Sequence, residues 1–205
     1  MCKQHDKKIK FRIGISILFV FLSISGTLFA LDPGALPTGG KITSGKGSIS
    51  TTGNQMTVQQ STQKMIAGWD TFNIGSQAGV TFRQPNANSV ALNRINDQNP
   101  SQILGSLSSN GRIYLINPSG IVFGDGSQVN VGGLIASSLN ISDEDFLNRK
   151  DVFTNDNSAG SILNQGNISV IPGGVVAFIG PSVINKGTID ATKGDVILAA
   201  GDQVT

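Results

Sequence analysis

Cysteine and histidine are almost missing from this chain of 205 residues, which has one of each, Cys2 and His5. Without cysteine a protein has no disulfide, no thiolate nucleophile and no thiolate metal site. Without histidine it has neither an imidazole base nor an imidazole ligand, and a serine-histidine-aspartate triad is excluded. We therefore expect no enzyme activity, no cofactor and no metal site in the chain beyond these two residues.

Basic residues are scarce beyond residue 30, although the whole chain has a net charge of +2. Residues 1–30 hold five of the fifteen Lys and Arg residues and one of the thirteen acidic residues. Without this segment ten bases face twelve acids, a net charge of −2. Nucleic-acid binding depends on a dense basic surface, so we expect no nucleic acid as partner.

The first thirty residues are typical of a secretory signal peptide. Residues 1–12 are basic, and an uncharged apolar run from Ile13 to Ala30 follows them. We predict a signal peptide over residues 1–30 and an exported domain over residues 31–205. Cleavage near Ser25 is an alternative, because a cut after Ala30 would put Leu28 at the third position before it, where a small residue is usual. An uncleaved anchor is another, since the apolar run nearly matches a bilayer core of about 30 Å.

Helical periodicity is rare in the exported part, where short apolar bursts alternate with Gly, Asn and Pro. Such bursts predict short strands joined by turns. The clearest are residues 79–82, 112–116, 120–123, 174–179 and 195–199. A Gly-Asn turn within Ser48–Val58 predicts a β-hairpin. Residues 142–150 predict a short helix, with Ser142 as its cap, acids in the first turn and bases in the last.

The C-terminal part repeats with a period of 21 residues. Residues 162–168 match residues 183–189, and residues 175–180 match residues 196–201. Several residues between 111 and 121 also match residues 63 positions later, which is three periods. A unit of this length cannot bury an apolar face alone, whereas stacked units share one continuous core.

The predicted fold is therefore all-β, a parallel β-helix of about seven or eight coils stacked at roughly 4.8 Å. Val, Ile, Leu and Phe would point inward, and Asn residues would stack at the turns. A β-sandwich is the alternative. The sequence stops directly after a strand, without a polar cap, so we expect it to begin a longer protein.

Five motifs give the exported part a resemblance to a known family: Leu36–Gly40, Trp69–Gly75, Leu92–Ile95, Asn117–Gly124 and Val129–Ser137. Together they resemble the two-partner secretion domain, or haemagglutination activity domain, of filamentous haemagglutinin-like exoproteins. The resemblance covers nearly all of residues 31–205.

The resemblance implies a right-handed parallel β-helix with extra-helical hairpins and an N-terminal cap. It also implies export by the general secretory machinery, then passage across the outer membrane of a Gram-negative bacterium through a partner β-barrel transporter with periplasmic repeat domains. Folding at the cell surface would nucleate the β-helix behind this domain. The downstream region of such proteins binds a host-cell or matrix ligand or carries a toxin, so we expect a secreted or surface-bound, adhesin-like virulence factor.

The family's recognition motif corresponds to Asn117, Pro118, Ser119, Gly120 and Ile121, with Ser119 in place of the family's middle Asn. These residue types suit a β-turn, because Asn bonds its own backbone, Pro fixes φ and Gly closes the turn. We predict that they form the secretion motif, either by contacting the transporter or by folding the turn alone. The companion Asn-Pro-Asn-Leu motif is missing, and Gln84–Ala87 and Asn99–Gln102 are loose analogues.

Two groups of residues outside this motif allow a binding role. Trp69 and Phe72 form either an exposed recognition surface or packing beneath a cap, and packing is the commoner use of a lone Trp. Asp143, Glu144 and Asp145 could bind calcium, but the segment lacks the alternating ligands and the Gly of a calcium loop. A solvated helix start is the favoured interpretation.

Two other function classes stay open. Some β-helices degrade polysaccharides with clustered carboxylates, whereas the twelve acids here are mostly isolated in turns. A stand-alone cell-surface or matrix protein would have no partner transporter. A neighbouring gene for an outer-membrane β-barrel with periplasmic repeats would favour secretion.

Overall fold

The computed structural model describes residues 30–156 and 160–205. Residues from Leu31 onward form one compact unit. The predicted signal peptide falls almost entirely outside the described residues. In the part of the chain that is described, no helix is both long enough and apolar enough to cross a membrane.

Two strands close the N-terminal end of the fold, β1 (Lys41–Ser44) and β2 (Gly47–Thr52). Strand β2 forms an antiparallel hairpin with β3 (Gln55–Gln60), and Gly53 in the turn has a φ of 57°. The expected hairpin and N-terminal cap are thus confirmed. Trp69 lies buried beneath this cap, where a Cβ on Gly40 would come within 2.5 Å of its ring.

The remaining elements form stacked coils and one segment outside them. In chain order they are β4 (Lys64–Trp69), β5 (Gly79–Arg83), β6 (Val90–Ile95), β7 (Ser101–Ile103), β8 (Ser106–Ser109), β9 (Arg112–Ile116), β10 (Ile121–Phe123), β11 (Gln128–Val131), β12 (Gly133–Ser137), α1 (Asp143–Leu147), β13 (Phe153–Thr154), β14 (Ser161–Asn164), β15 (Asn167–Val170), β16 (Val175–Gly180), β17 (Ser182–Asn185), β18 (Thr188–Asp190), β19 (Asp195–Ala200) and β20 (Gln203–Val204).

Three sheets run along the stack, and successive coils pair in parallel. The first sheet has the order β1-β4-β6-β9-β12-β16-β19, the second β2-β3-β5-β8-β11-β15-β18, and the third β7-β10-β14-β17. Each coil passes through the second, first and third sheets in turn. This topology confirms the predicted all-β parallel β-helix, and the five strands predicted from apolar bursts all form.

The β-helix has about six turns, fewer than the seven or eight expected from the period. Two segments do not contribute coils. The cap strands pair antiparallel on the first coil, and residues 138–156, here called the excursion, leave the stack between β12 and β14.

The register follows the sequence repeat in part. Ile162 pairs with Val183 at the predicted spacing of 21, but Val176 pairs with Val196 at a spacing of 20. The second alignment was wrong by one residue, because five residues separate Ser169 from Val175 whereas four separate their pairing partners Asp190 and Asp195. The 63-residue spacing spans two coil steps rather than three periods, since Ile113 pairs with Leu134 and Leu134 with Val176. The step from Leu134 to Val176 is 42 residues, twice the period, because the excursion is inserted in it.

An apolar core fills the interior between the three sheets. Phe123 and Phe178 stack inside it with ring centroids 5.8 Å apart. Each such buried side chain contributes about 1.5–3 kcal/mol relative to exposure. A short Asn ladder also forms, as predicted, because Asn164 Nδ2 donates to Asn185 Oδ1 of the next coil at 2.8 Å. Asn164 is buried and Asn185 is exposed, so this pair joins the interior to the surface of the last coils.

The excursion covers the outer face of the first sheet. Tyr114, Ile135 and Phe146 belong to a second buried cluster there. Helix α1 begins as predicted, with Ser142 Oγ accepting from the Asp145 amide at 3.0 Å. The prediction of bases in its last turn was wrong, since the helix ends at Leu147, before Arg149.

Candidate functional site: the turn at residues 117–121

The predicted motif links β9 of the first sheet to β10 of the third. The Gly120 amide donates to the Asn117 carbonyl oxygen at 2.8 Å, which closes a β-turn. The Ser119 amide donates to Asn117 Oδ1 at 2.9 Å, so the Asn side chain braces the turn from within. The turn chemistry expected from the sequence is present.

Asn117 also ties the turn to the preceding coil. Its side chain is fully buried, and Nδ2 donates to the Asn99 carbonyl oxygen at 3.2 Å and to Ser101 Oγ at 3.0 Å. Ser119 Oγ donates to the Asp97 carbonyl oxygen at 2.8 Å. The segment 99–102, a loose motif analogue in the sequence, is therefore the support on which the turn rests.

Gly120 makes the contact to the following coil. Its φ of 103° disfavours side chains, and a Cβ here would lie 2.6 Å from the Ser161 carbonyl oxygen. From the other side, a Cβ on Gly160 would lie 2.2 Å from the Gly120 nitrogen. The Gly160 amide also donates to the Pro118 carbonyl oxygen at 3.2 Å. Close backbone approach therefore requires glycine at positions 120 and 160.

Exposure divides the motif into two parts. Asn117, Gly120 and Ile121 are buried, whereas Pro118 is exposed and Ser119 is partly exposed. Any molecule that contacts the folded turn meets Pro118 and Ser119 first. The buried three hold the turn between two coils.

The second loose analogue has a different setting. Pro85 and Asn86 lie in an exposed loop between β5 and β6, where the Asn88 amide donates to Asn86 Oδ1 at 3.0 Å. Among the described residues, no hydrogen bond joins this loop to the turn at residues 117–121. The two analogues therefore do not form one site.

The other candidates have structural partners. Trp69 and Phe72 are buried in an edge-to-face contact with centroids 5.2 Å apart, and Trp69 Nε1 donates to Asn93 Oδ1 at 3.0 Å. Asp143 forms an ion pair with Arg94 at 2.5 Å. Among the described residues no cluster of three possible metal ligands occurs.

Sequence reasoning missed the residues that support the turn. Asp97 contributes a backbone carbonyl, which no residue pattern marks, and Ser101 contributes a hydroxyl from a segment that the sequence indicated only as a loose motif analogue. A usable signal was the second Asn-Pro-Ser, since residues 99–101 precede 117–119 by 18 positions. That spacing is close to one coil.

Comparison with known proteins gives matches at the levels of family, sequence and structure. The family model "TPS secretion domain" matches residues 34–205. A heme/hemopexin-binding protein of Haemophilus influenzae strain Rd is 34% identical over 203 residues, and a second Haemophilus influenzae protein of that name is 36% identical over 132 residues. The crystal structure of the HMW1 secretion domain from Haemophilus influenzae superposes with a TM-score of 0.79 at 35% identity.

These matches differ in how much of each protein they cover. The first relative is matched over 95% of this chain but 22% of its own length, and the second over 64% and 14%. The solved structure is matched over 82% of this chain and 46% of its own. The chain therefore spans less than a quarter of the curated relatives that it matches.

Proposed function

Because the chain belongs to the family of TPS secretion domains, we propose that it directs a large exported protein to a partner outer-membrane β-barrel transporter. The observation that carries the proposal is the family match over residues 34–205, on a β-helix whose secretion motif forms an ordered, partly exposed turn. The proposal gives the domain a role in transport and no catalytic role.

The proposed route begins with residues 1–30 as a signal peptide read by the general secretory machinery. The exported part, residues 31–205, contains no cysteine, so no disulfide can lock it in the periplasm. A chain without disulfides can stay unfolded until it has crossed the outer membrane of a Gram-negative cell. The final location is the cell surface or the medium.

The motif would act at two stages. The turn's own hydrogen bonds, from the Gly120 and Ser119 amides to Asn117, are local and can form before the coils stack, so Pro118 and Ser119 would supply the contact for the transporter's periplasmic repeat domains. Asn117 and Gly120 act after transport, because their cross-coil contacts lock the folded turn. Contact and folding are thus assigned to different residues of one motif.

The last coil suits a role as a template for further coils. Val196 and Leu198 face the core side of β19, opposite the buried Val176 and Phe178 of β16, yet are 48% and 50% exposed. An added coil would bury both side chains and pair with the exposed edge of β19. The folded domain would nucleate the β-helix of the region behind it.

The binding activity of the whole protein belongs to the region beyond this domain. Because the relatives are heme/hemopexin-binding proteins, we propose heme or hemopexin as the ligand of the whole protein. Adhesion to a host cell or matrix, expected from the wider family, stays a prediction. A stand-alone matrix protein is the alternative, and it would need no transporter.

A set of four variants, co-expressed with the transporter, tests the motif. We expect Pro118→Lys to reduce release into the medium while the free energy of unfolding falls by no more than about 1 kcal/mol, the stabilisation lost when the ring no longer fixes φ. Asn117→Ala should cost about 3 kcal/mol, because it leaves buried hydrogen-bonding groups without partners, and should reduce release as well. Gly120→Ala should behave like Asn117→Ala because of its clash and its positive φ.

Pro85→Lys is the matched control, since it places the same side chain on another exposed loop. Unfolding can be followed by the fluorescence of Trp69, the one Trp of the chain. Release of Pro118→Lys at the wild-type level would remove the proposed contact. Wild-type release of both Asn117→Ala and Gly120→Ala would remove the role of the folded turn in secretion.

A further inference from the structure

A cavity of about 310 Å³ lies on the outer side of the first sheet, away from the turn at residues 117–121. Its lining comes from the loop before β6, from β9 and from the excursion, and includes Arg112, Arg149 and Asp151. Tyr114 and Phe146 meet edge to face in the same lining, with ring centroids 5.4 Å apart. The volume is at the lower end of that of small-ligand sites.

Arg149 occupies a backbone position that favours glycine. Its φ is 58°, and it follows the C-cap of α1. The Lys150 amide donates to the Asp145 carbonyl oxygen at 2.8 Å and the Arg149 amide to that of Phe146 at 3.2 Å, the pattern of a Schellman motif. Glycine is the usual residue there, so arginine is unfavourable for the backbone. What the arginine adds is a guanidinium group in the cavity lining.

Arg112 is the second cation of the lining. Its side chain lies across Gly133 of the adjacent strand, where a Cβ would come within 3.3 Å of Arg112 Cγ and Nε. In the described part of the chain, the ion pair within 4.0 Å is that of Arg94 with Asp143, so neither cavity arginine has a carboxylate partner at that distance. The Arg112 guanidinium also interacts with the Tyr114 side chain, so it offers an anion its remaining N–H groups, beside the guanidinium of Arg149.

The rest of the lining offers acceptors and an apolar wall. Tyr114 Oη donates to Asp151 Oδ1 at 2.9 Å, which fixes that carboxylate at the cavity. Burial, and next the charge of Asp151, raise the pKa of Tyr114 above its ordinary value, so the phenol stays protonated and keeps donating. Asn88 adds an amide, and Val90 and Phe146 add apolar surface.

We propose that this cavity binds an acidic sugar, a monosaccharide unit that carries a carboxylate. Guanidinium groups match carboxylates in geometry and charge, which assigns the sugar's acid group to Arg112 and Arg149. Hydroxyl groups of the sugar would donate to Asp151 and Asn88. A sugar ring also has apolar C–H faces, which suit Val90 and Phe146.

Titration of the full chain with D-glucuronate, followed by NMR chemical shifts or calorimetry, tests the proposal. We expect saturable binding in the millimolar range or tighter. Arg112→Gln and Arg149→Gly should each weaken it at least tenfold. Lys150→Gln, which removes a neighbouring charge outside the lining, should bind like the wild type.

Arg149→Gly carries its own check on folding. Because glycine suits the left-handed backbone, this variant should unfold at a temperature no lower than the wild type. Three results would overturn the proposal: no saturable glucuronate binding, equal binding of neutral glucose, or equal binding of inorganic phosphate, which would indicate a bare anion site. Unchanged glucuronate binding in both arginine variants would overturn it as well.

Discussion

Tyr114 is a residue whose role depends on the whole fold around it. It lies on the outer face of β9, is buried by the excursion, and donates to Asp151, which is 37 positions away in the sequence. Burial and then the negative charge of Asp151 raise its pKa above the ordinary value near 10. The fold therefore favours the neutral phenol.

This shift predicts a loss of stability in alkali. The stabilisation from Tyr114 is fully present below about pH 10 and is lost as the pH rises through the pKa of the folded state. The free energy of unfolding of the wild type should thus fall above about pH 10 more steeply than that of Tyr114→Phe. At neutral pH the variant should lose about 1 kcal/mol with its hydrogen bond.

Phenolate absorbance measures the ionisation directly, because Tyr114 is the one Tyr of the chain. The apparent pKa should lie above 10 while the protein is folded and return to about 10 in denaturant. A midpoint near 10 in the folded protein would show that Tyr114 is solvated. The same conclusion would follow if the free energies of unfolding of the wild type and Tyr114→Phe depended on pH identically.

At the residue scale, sequence reasoning located the motif but not its neighbours. The turn-forming residue types at 117–120 act locally, so these types alone predict the turn. The partners of Asn117 and of Tyr114 come from other coils or from the excursion. Local sequence cannot indicate those contacts before the register is known.

The excursion is held on the first sheet by a few side-chain hydrogen bonds, of which that from Tyr114 to Asp151 is one. Arg94 donates to Asp143 Oδ1, to Asn140 Oδ1 at 2.7 Å and to the Ile141 carbonyl oxygen. Lys64 donates to the carbonyl oxygen of Leu147 at the end of α1. The outer face beneath is apolar, so the excursion protects it from water.

Arg94→Met should therefore loosen the excursion without unfolding the β-helix. We expect amide hydrogen exchange over residues 138–156 to accelerate at least tenfold, while exchange in β10, β14 and β16 stays near the wild type. Arg83→Met is the control, because Arg83 is exposed on the second sheet. Uniform acceleration across the coils would show that the excursion is part of the global folding unit.

At the element scale, the short strands and the helix start follow from local rules. The apolar bursts mark strands because each strand contributes alternate side chains to a buried core. The helix end was misjudged because its C-terminal turn is closed by a non-glycine residue, Arg149, in the left-handed conformation. Sequence rules expect glycine there and gave no reason to stop at Leu147.

The whole molecule is a stack in which each coil depends on its neighbours. Its period was readable from the sequence, because equivalent positions face one continuous core. The number of coils could not be predicted from the sequence, because the excursion adds nearly one period to the step from one coil to the next. Pairing spacings of 20 and 21 in adjacent sheets show that loops absorb single-residue differences without breaking the stack.

The most direct test is to express residues 1–205 in a Gram-negative host with and without the candidate partner transporter and to measure the chain in periplasm and medium. A domain that directs export should reach the medium only when the transporter is present, and should remain in the periplasm or be degraded without it. Equal release with and without the transporter, or periplasmic retention in both strains, would contradict the proposed function and favour a stand-alone surface or matrix protein.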